Sequence, residues 1–169
     1  MKSLPNLEEH FLSKNNIKEN LSIFQTKYIL DKRFDFDVFL PSKGMNLQRD
    51  FIWTNLQKES LIESIILKRF IPPLSVILTV DDVYQIIDGK QRLSTLINYL
   101  EDGFTYCGYF YNELPQQYKN EINKFFITSH MLFEDYGRKI PDKVKIEWFK
   151  WINFSGTIQD EEHMNRLEM

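Results

Sequence analysis

The stretch Ile86-Ile87-Asp88-Gly89-Lys90-Gln91-Arg92-Leu93-Ser94-Thr95-Leu96 constrains this chain more than any other. An apolar strand runs into an acid-glycine turn, and two cations and an amide then open an amphipathic helix. A helix start carries unpaired backbone N–H groups and the positive end of the helix dipole, so it suits an anion such as phosphate. Lys90 and Arg92 add full charges there, and Gly89 lets the backbone approach a ligand closely. A second reading of the same residues is purely local. Asp88 caps the helix, Gln91 three residues later completes a capping-box-like pair, and Lys90 and Arg92 are solvated cations. Local physics leaves both readings open.

Length and composition bound the rest. A chain of 169 residues suits one domain with a real core, and 43% hydrophobic with 15% aromatic content argues for a packed globule. A net charge of −3 argues against a protein that coats nucleic acid non-specifically, and leaves room for a local basic cleft. Cys107 is the one cysteine, so an intramolecular disulfide is excluded, and its Tyr and Gly neighbours suggest a buried small residue. His10, His130 and His163 are far apart and lack metal-ligand spacing. No apolar signal core opens the sequence, and no run approaches the ~20 apolar residues of a membrane span. No membrane partner is therefore expected, and the expected location is a reducing cytoplasm, that of a bacterium or a phage-infected host.

Periodicity predicts an α+β chain. Residues 4–20 suggest a short polar helix or arm, within an N-terminal extension over 1–35 that precedes a domain over 36–169. Phe36, Val38 and Leu40 alternate as in a strand, and a loop follows to Trp53. Leu61, Ile62, Ile65, Ile66 and Phe70 mark a helix ending before Pro72-Pro73. Residues 74–80 and 83–87 read as antiparallel strands about an Asp81-Asp82 turn, and Leu93, Leu96, Ile97 and Leu100 as the next helix. Phe104 to Tyr111 is strand-like. Tyr118, Ile122, Phe125 and Phe126 suggest a helix, 127–133 a strand, and Val144, Trp148, Trp151 and Ile152 a last helix. Trp148 and Trp151 read as core, with a base-stacking platform as the alternative; Trp53, in a loop beside Arg49, is open to either role.

Three blocks, taken in order, resemble a known family. They are Leu47-Gln48-Arg49-Asp50-Phe51-Ile52-Trp53 with the helix from Leu61, then Tyr84 to Thr95, then Trp148 to Thr157 followed by Glu161 and Glu162. Over roughly residues 36–165 the chain resembles the N-terminal domain of GmrSD-type modification-dependent restriction enzymes, a branch of the ParB/sulfiredoxin-like fold. The resemblance implies a small mixed sheet with surrounding helices. It also implies a nucleoside-triphosphate site, because in such domains an Asp-Gly-Gln-Gln-Arg motif at the strand-to-helix turn is required for nucleotide binding or hydrolysis. Asp88, Gly89, Gln91 and Arg92 match that motif, and Lys90 departs from it by placing a cation where phosphate is expected. Gln48 and Arg49 match the family's Gln-Arg, and Asn153 and Gly156 its asparagine-glycine block.

On that basis the amides at Gly89 to Gln91, with Lys90 and Arg92, are expected to hold the β- and γ-phosphates, and Arg49 to approach from the opposite wall. Mg²⁺ would be held by nucleotide oxygens, water and one carboxylate, with Asp88 and Glu63 as candidates. Asp88 is also the candidate base, and Glu63 has an equal reading as a solvent-facing helix residue. Asn153 either caps its helix or bonds a base or ribose edge. No His-Asn-His constellation is present, so DNA cutting is expected of a separate nuclease chain, with modified DNA as a further partner. Three functions compete. They are an NTP-binding and NTP-hydrolysing switch in DNA modification or phage defence, a kinase-like phosphotransferase acting on a small-molecule or modified-base hydroxyl, and a non-enzymatic nucleotide-binding regulator.

Overall fold

The computed structural model describes residues 17–135 and 137–154. Strand β1 (Glu19–Gln25) leads through a 3-10 turn (Thr26–Asp31) to the short strands β2 (Phe34–Asp35), β3 (Phe39–Leu40) and β4 (Met45–Asn46). Helix α1 (Asn55–Ile66), β5 (Leu74–Leu78), β6 (Tyr84–Asp88) and α2 (Lys90–Leu100) follow, then α3 (Gln116–Lys124), β7 (Phe126–Phe133) and α4 (Asp142–Phe154). The main sheet has the order β1-β7-β5-β6-β2, while β3 and β4 pair separately. It is mixed. β5 runs antiparallel to β6 and parallel to β7, and β2 runs parallel to β6. The expected α+β class with a small mixed sheet and surrounding helices is what the chain forms.

The central strands read as continuous apolar runs because both faces of the sheet are covered. Val76, Ile86 and Met131 point into a core closed by Leu61, Ile62, Leu93, Leu96 and Ile122 from α1, α2 and α3. Their neighbours Ile77, Ile87 and Leu132 point to the other face, where Val144, Trp148 and Phe149 of α4 cover them together with Val38, Leu40 and Leu47. Alternation of adjacent apolar residues thus splits into two cores about one sheet.

Several expectations change. Residues 17–35 are no arm: β1 is the edge strand, in antiparallel register with β7 from Glu19 opposite Leu132 to Gln25 opposite Phe126. Phe24 and Ile29 are buried, so the domain begins well before residue 36, while residues 1–16 lie outside the described set. The strand expected through Phe36 is broken into β2 and β3. Phe104 to Tyr111 forms a tight bridge from Tyr106 to Tyr109 instead of a strand, turned by Cys107 (φ 51°) and Gly108 (φ 82°). Cys107 is consequently exposed, not buried. Helix α3 stops at Lys124, and Phe126 already belongs to β7. Of the two tryptophans read as core, Trp148 is buried at 2% exposure and Trp151 is 54% exposed.

The Tyr99 ring, fully buried, carries a prediction. Its hydroxyl donates to the Tyr109 carbonyl at 3.3 Å. Burial first, then the Asp102 charge, hold its pKa far above the ordinary 10.0, and burial pushes Tyr106 up to about 12. The folded state therefore keeps protons that the unfolded chain releases. Stability from these phenols is whole below pH 10.0 and falls as pH rises above it. Tyr99→Phe should flatten that alkaline fall, read as the urea midpoint between about pH 9 and 11.

Candidate functional site

The turn between β6 and α2 is built by Gly89, which sits at the helix N-cap with φ 98° and ψ 12°. No side chain caps this helix, so the capping-box reading of Asp88 and Gln91 gives way. The domain's capping box lies instead on α1, between Thr54 and Gln57. Released from capping, Asp88 pairs through Oδ2 with Arg92 Nη2 at 2.6 Å, one helical turn along. The other arm of the guanidinium donates to the carbonyls of Pro72 and Pro73. Arg92 therefore ties the turn to the residues that lead into β5.

Gln91 has a different task. Its Oε1 accepts from the backbone N–H groups of Ile52 (3.0 Å) and Trp53 (3.2 Å), and its Nε2 donates to the Asp50 carbonyl (3.1 Å). One amide thus holds three backbone groups of the 50–53 loop that have no secondary structure to satisfy them. Gln48 Nε2 donates to the Ile86 carbonyl on β6. These two glutamines, from different blocks of sequence, fix Arg49 and Trp53 beside the Gly89 turn.

The result is a cavity of about 150 Å³ lined by Gln48, Arg49, Trp53, Asp88 to Arg92 and Phe149. It gathers eight of the ten expected site residues. Glu63 is not among them: from α1 it pairs at 2.7 Å with Arg69, just past the helix end, the solvent-facing alternative. Asn153 is also elsewhere, donating through Nδ2 to the Phe149 carbonyl at 2.7 Å, the structural alternative. Gly156, Glu161 and Glu162 lie outside the described residues. Phe149 was missed as a site residue. It belongs to the third block and packs in the core under α4, with nothing in sequence to show that its ring also lines a polar cavity.

Charge at the cavity is divided unevenly. Lys90 is buried at 8% exposure and its Nζ meets Asp37 Oδ1 at 2.6 Å, so that cation is matched by a carboxylate with its own side chain largely in solvent. Arg92 is matched by Asp88. Arg49 is exposed and has no hydrogen bond or ion pair among the described residues. The net field in the cavity is therefore positive through Arg49, on top of the helix dipole and the free amides of the first turn of α2. Such an arrangement attracts an anion and can exchange Asp37 or Asp88 for ligand oxygens at the two paired cations. Among the described residues no group of three or more His, Cys, Asp or Glu side chains converges as a metal cage would. No helix of those residues is long and apolar enough to cross a membrane.

Comparison with known proteins gives this geometry a family. The family model for the GmrSD restriction endonuclease N-terminal domain matches residues 27–165. No curated protein matches the sequence. The chain is also similar to a solved Pnob8-like ParB-N domain, with a TM-score of 0.43 and 15% identity, over 89% of this chain and 44% of that one. This chain accordingly spans less than half the length of that solved protein. The family match runs through every residue that lines the Gly89 cavity and over most of the 169 residues, and the chain belongs to the N-terminal domain family of GmrSD restriction endonucleases.

Proposed function

We propose that the Gly89 cavity binds the phosphates of a nucleoside triphosphate and promotes its hydrolysis, as the nucleotide-responsive part of a DNA-modification or phage-defence system whose cutting is done by a nuclease partner. The observation that carries this reading is the convergence of the α2 start, Gln48 and an unpaired Arg49 on one small polar cavity. Backbone amides would hold phosphate oxygens, Lys90 would supply charge from below, and Arg49 would offset negative charge growing on the transferred phosphoryl group. Asp88 is the one carboxylate lining the cavity among the described residues, so it is the residue to orient water or to touch Mg²⁺ delivered on the nucleotide. With a single carboxylate among the described lining residues, most ligands of that ion would be phosphate and water, which suits magnesium. The metal would neutralise charge on the β- and γ-oxygens.

The test is a thermal-shift and phosphate-release series with the common NTPs and Mg²⁺. Wild-type protein should bind at least one and release phosphate from it. Arg49→Ala, which removes no hydrogen bond or ion pair among the described residues, should keep the melting temperature and weaken binding about tenfold or more, equivalent to ~1.4 kcal/mol. Absence of binding by every nucleotide would refute the reading. Binding without release supports the regulator instead, a reading favoured by the engagement of Asp88 with Arg92. Phosphate carried to a hydroxyl in place of water would establish the phosphotransferase.

A further inference from the structure

A cavity of about 150 Å³ takes phosphates but not a whole nucleotide, since organic ligands usually occupy about 300–1,000 Å³. Two larger hollows adjoin it. One, of about 500 Å³ beneath α4, shares only Asp88 with the cavity and also carries Glu19 and His130. The other, of about 380 Å³ along α1, shares Trp53 and Arg92 and has no carboxylate among its described lining residues. The two doorways differ in charge. A nucleotide whose phosphates sit at the Gly89 turn meets a carboxylate at the first, and an aromatic side chain beside a guanidinium at the second. Like charges repel across the first, so the α1 doorway is the one crossed at lower electrostatic cost.

The side chains that line the α1 hollow suit a flat ring with polar edges. Gln57, Ser60 and Ser64 stand at helical spacing on one face of α1. The capping box engages Gln57 Oε1 with the Thr54 N–H at 2.9 Å, which fixes the amide and leaves Nε2 as a donor with no partner among the described residues. Ser60 Oγ has none either, and Ser64 Oγ, which donates to the Ser60 carbonyl at 2.8 Å, keeps its lone pairs for accepting. Two aromatic side chains complete the lining. Trp53 lies on the side shared with the phosphate cavity, its backbone N–H held by Gln91 at 3.2 Å. Phe70 is 84% exposed and belongs to neither core. Aromatic rings take the faces of a nucleobase, and unused amide and hydroxyl groups take its edge.

We infer that the hollow along α1 is the base subsite of this domain: Trp53 and Phe70 stack the base, and Gln57 and Ser60 bond its edge. The inference rests on the phosphate reading of the Gly89 cavity and deepens it. Titration of Mg²⁺-tripolyphosphate and of each Mg²⁺-NTP into wild type, Phe70→Ala, Ser60→Leu and His130→Ala separates the two. Phe70 and Ser60 line the α1 hollow and not the phosphate cavity, and both are exposed, so the urea midpoint of each variant should stay near that of wild type. Loss of one stacking ring in Phe70→Ala should weaken the best NTP about tenfold, with tripolyphosphate affinity unchanged. Ser60→Leu puts a branched alkyl group in place of a hydroxyl and should weaken that NTP severalfold with the same selectivity. His130→Ala, in the hollow beneath α4, should change neither ligand. Unchanged NTP affinity in either α1 variant, or a loss that tripolyphosphate shares, overturns the inference. So does a loss confined to His130→Ala, which would put the base beneath α4, and the phosphate reading survives these results. Failure of tripolyphosphate and all NTPs with wild type overturns that reading and the inference with it.

Discussion

Gly89→Ala should lower the melting temperature by roughly 5–15 °C and abolish ligand binding at the turn between β6 and α2. Two costs add. The first is conformational: φ at this residue is 98°, a region that L-residues enter at a cost of about 1–2 kcal/mol. The second is steric. A Cβ here would lie well inside van der Waals contact with Leu74 Cδ2, and Leu74 is a fully buried core residue whose methyl has no empty space to enter. Overpacking of that kind costs about 1–3 kcal/mol. The smaller unfolded-state entropy of alanine offsets about 0.4–1 kcal/mol, leaving a net loss of about 2–4 kcal/mol. For a domain of this size each kcal/mol moves the midpoint by about 2–4 °C. Gly108→Ala is the matched control. Its φ is 82° but nothing lies within 4 Å of the added methyl, so it should lose about 1 kcal/mol at most. Equal losses in the two variants would mean that the close packing of Gly89 on Leu74 contributes nothing.

How much of this was legible from residues alone follows from which forces are local. The β5 and β6 strands, the turn between them and helices α1, α2 and α4 announce themselves by apolar spacing and by breakers such as Pro72-Pro73, because those signals act within one turn or one pleat. Strand β1 does not. Its apolar Leu21 and Ile23 face outward at 76% and 61% exposure while Phe24 turns in, so the usual inward alternation is reversed and the segment looks like a polar arm. Its strand character comes from pairing with β7, more than 100 residues away, which no window can see. Phe104 to Tyr111 misleads in the opposite way: aromatic density suggests a strand, but the left-handed pair Cys107-Gly108 folds it into a turn whose rings pack on the α2 core.

The site shows the same division. Asp88, Gly89, Gln91 and Arg92 were found together because they are consecutive, and Gln48, Arg49 and Trp53 came with them through the resemblance of three ordered blocks. Their roles were less visible. Lys90 meets a carboxylate 53 positions away, at Asp37, and Gln91 serves the backbone of a loop about 40 positions away. These are tertiary facts. They also change the chemistry expected of the motif: Gln91 builds the wall of the cavity, and the two cations of the motif are already neutralised, which leaves Arg49 as the charge ready for a ligand.

The pair formed by Asp88 and Arg92 is where fold and function are hardest to separate, and a cycle of substitutions separates them. Arg92→Ala removes an ion pair whose side chains are only 16% and 26% exposed, and strands the carbonyls of Pro72 and Pro73 with it. Loss of one partner from a fully buried pair costs about 3–5 kcal/mol, and partial exposure reduces this to about 2–3 kcal/mol here. Arg92→Lys keeps the charge but lacks the planar fork that reaches Asp88 and the prolyl carbonyls together, so it should recover less than half of the loss. Asp88→Asn behaves differently, because an amide oxygen can still accept from Arg92 while the negative charge beside the phosphate cavity is gone. Stability should fall by about 1 kcal/mol. Triphosphate binding should tighten severalfold, since a like charge has left an anion site and a cation has been freed. Phosphate release should drop by about a hundredfold or more if Asp88 orients the attacking water. Tighter binding with lost turnover would assign Asp88 to the chemistry. Tighter binding with turnover intact would reduce it to a brace for Arg92, and weaker binding would mean that the ligand itself needs the carboxylate, as a route through Mg²⁺ requires.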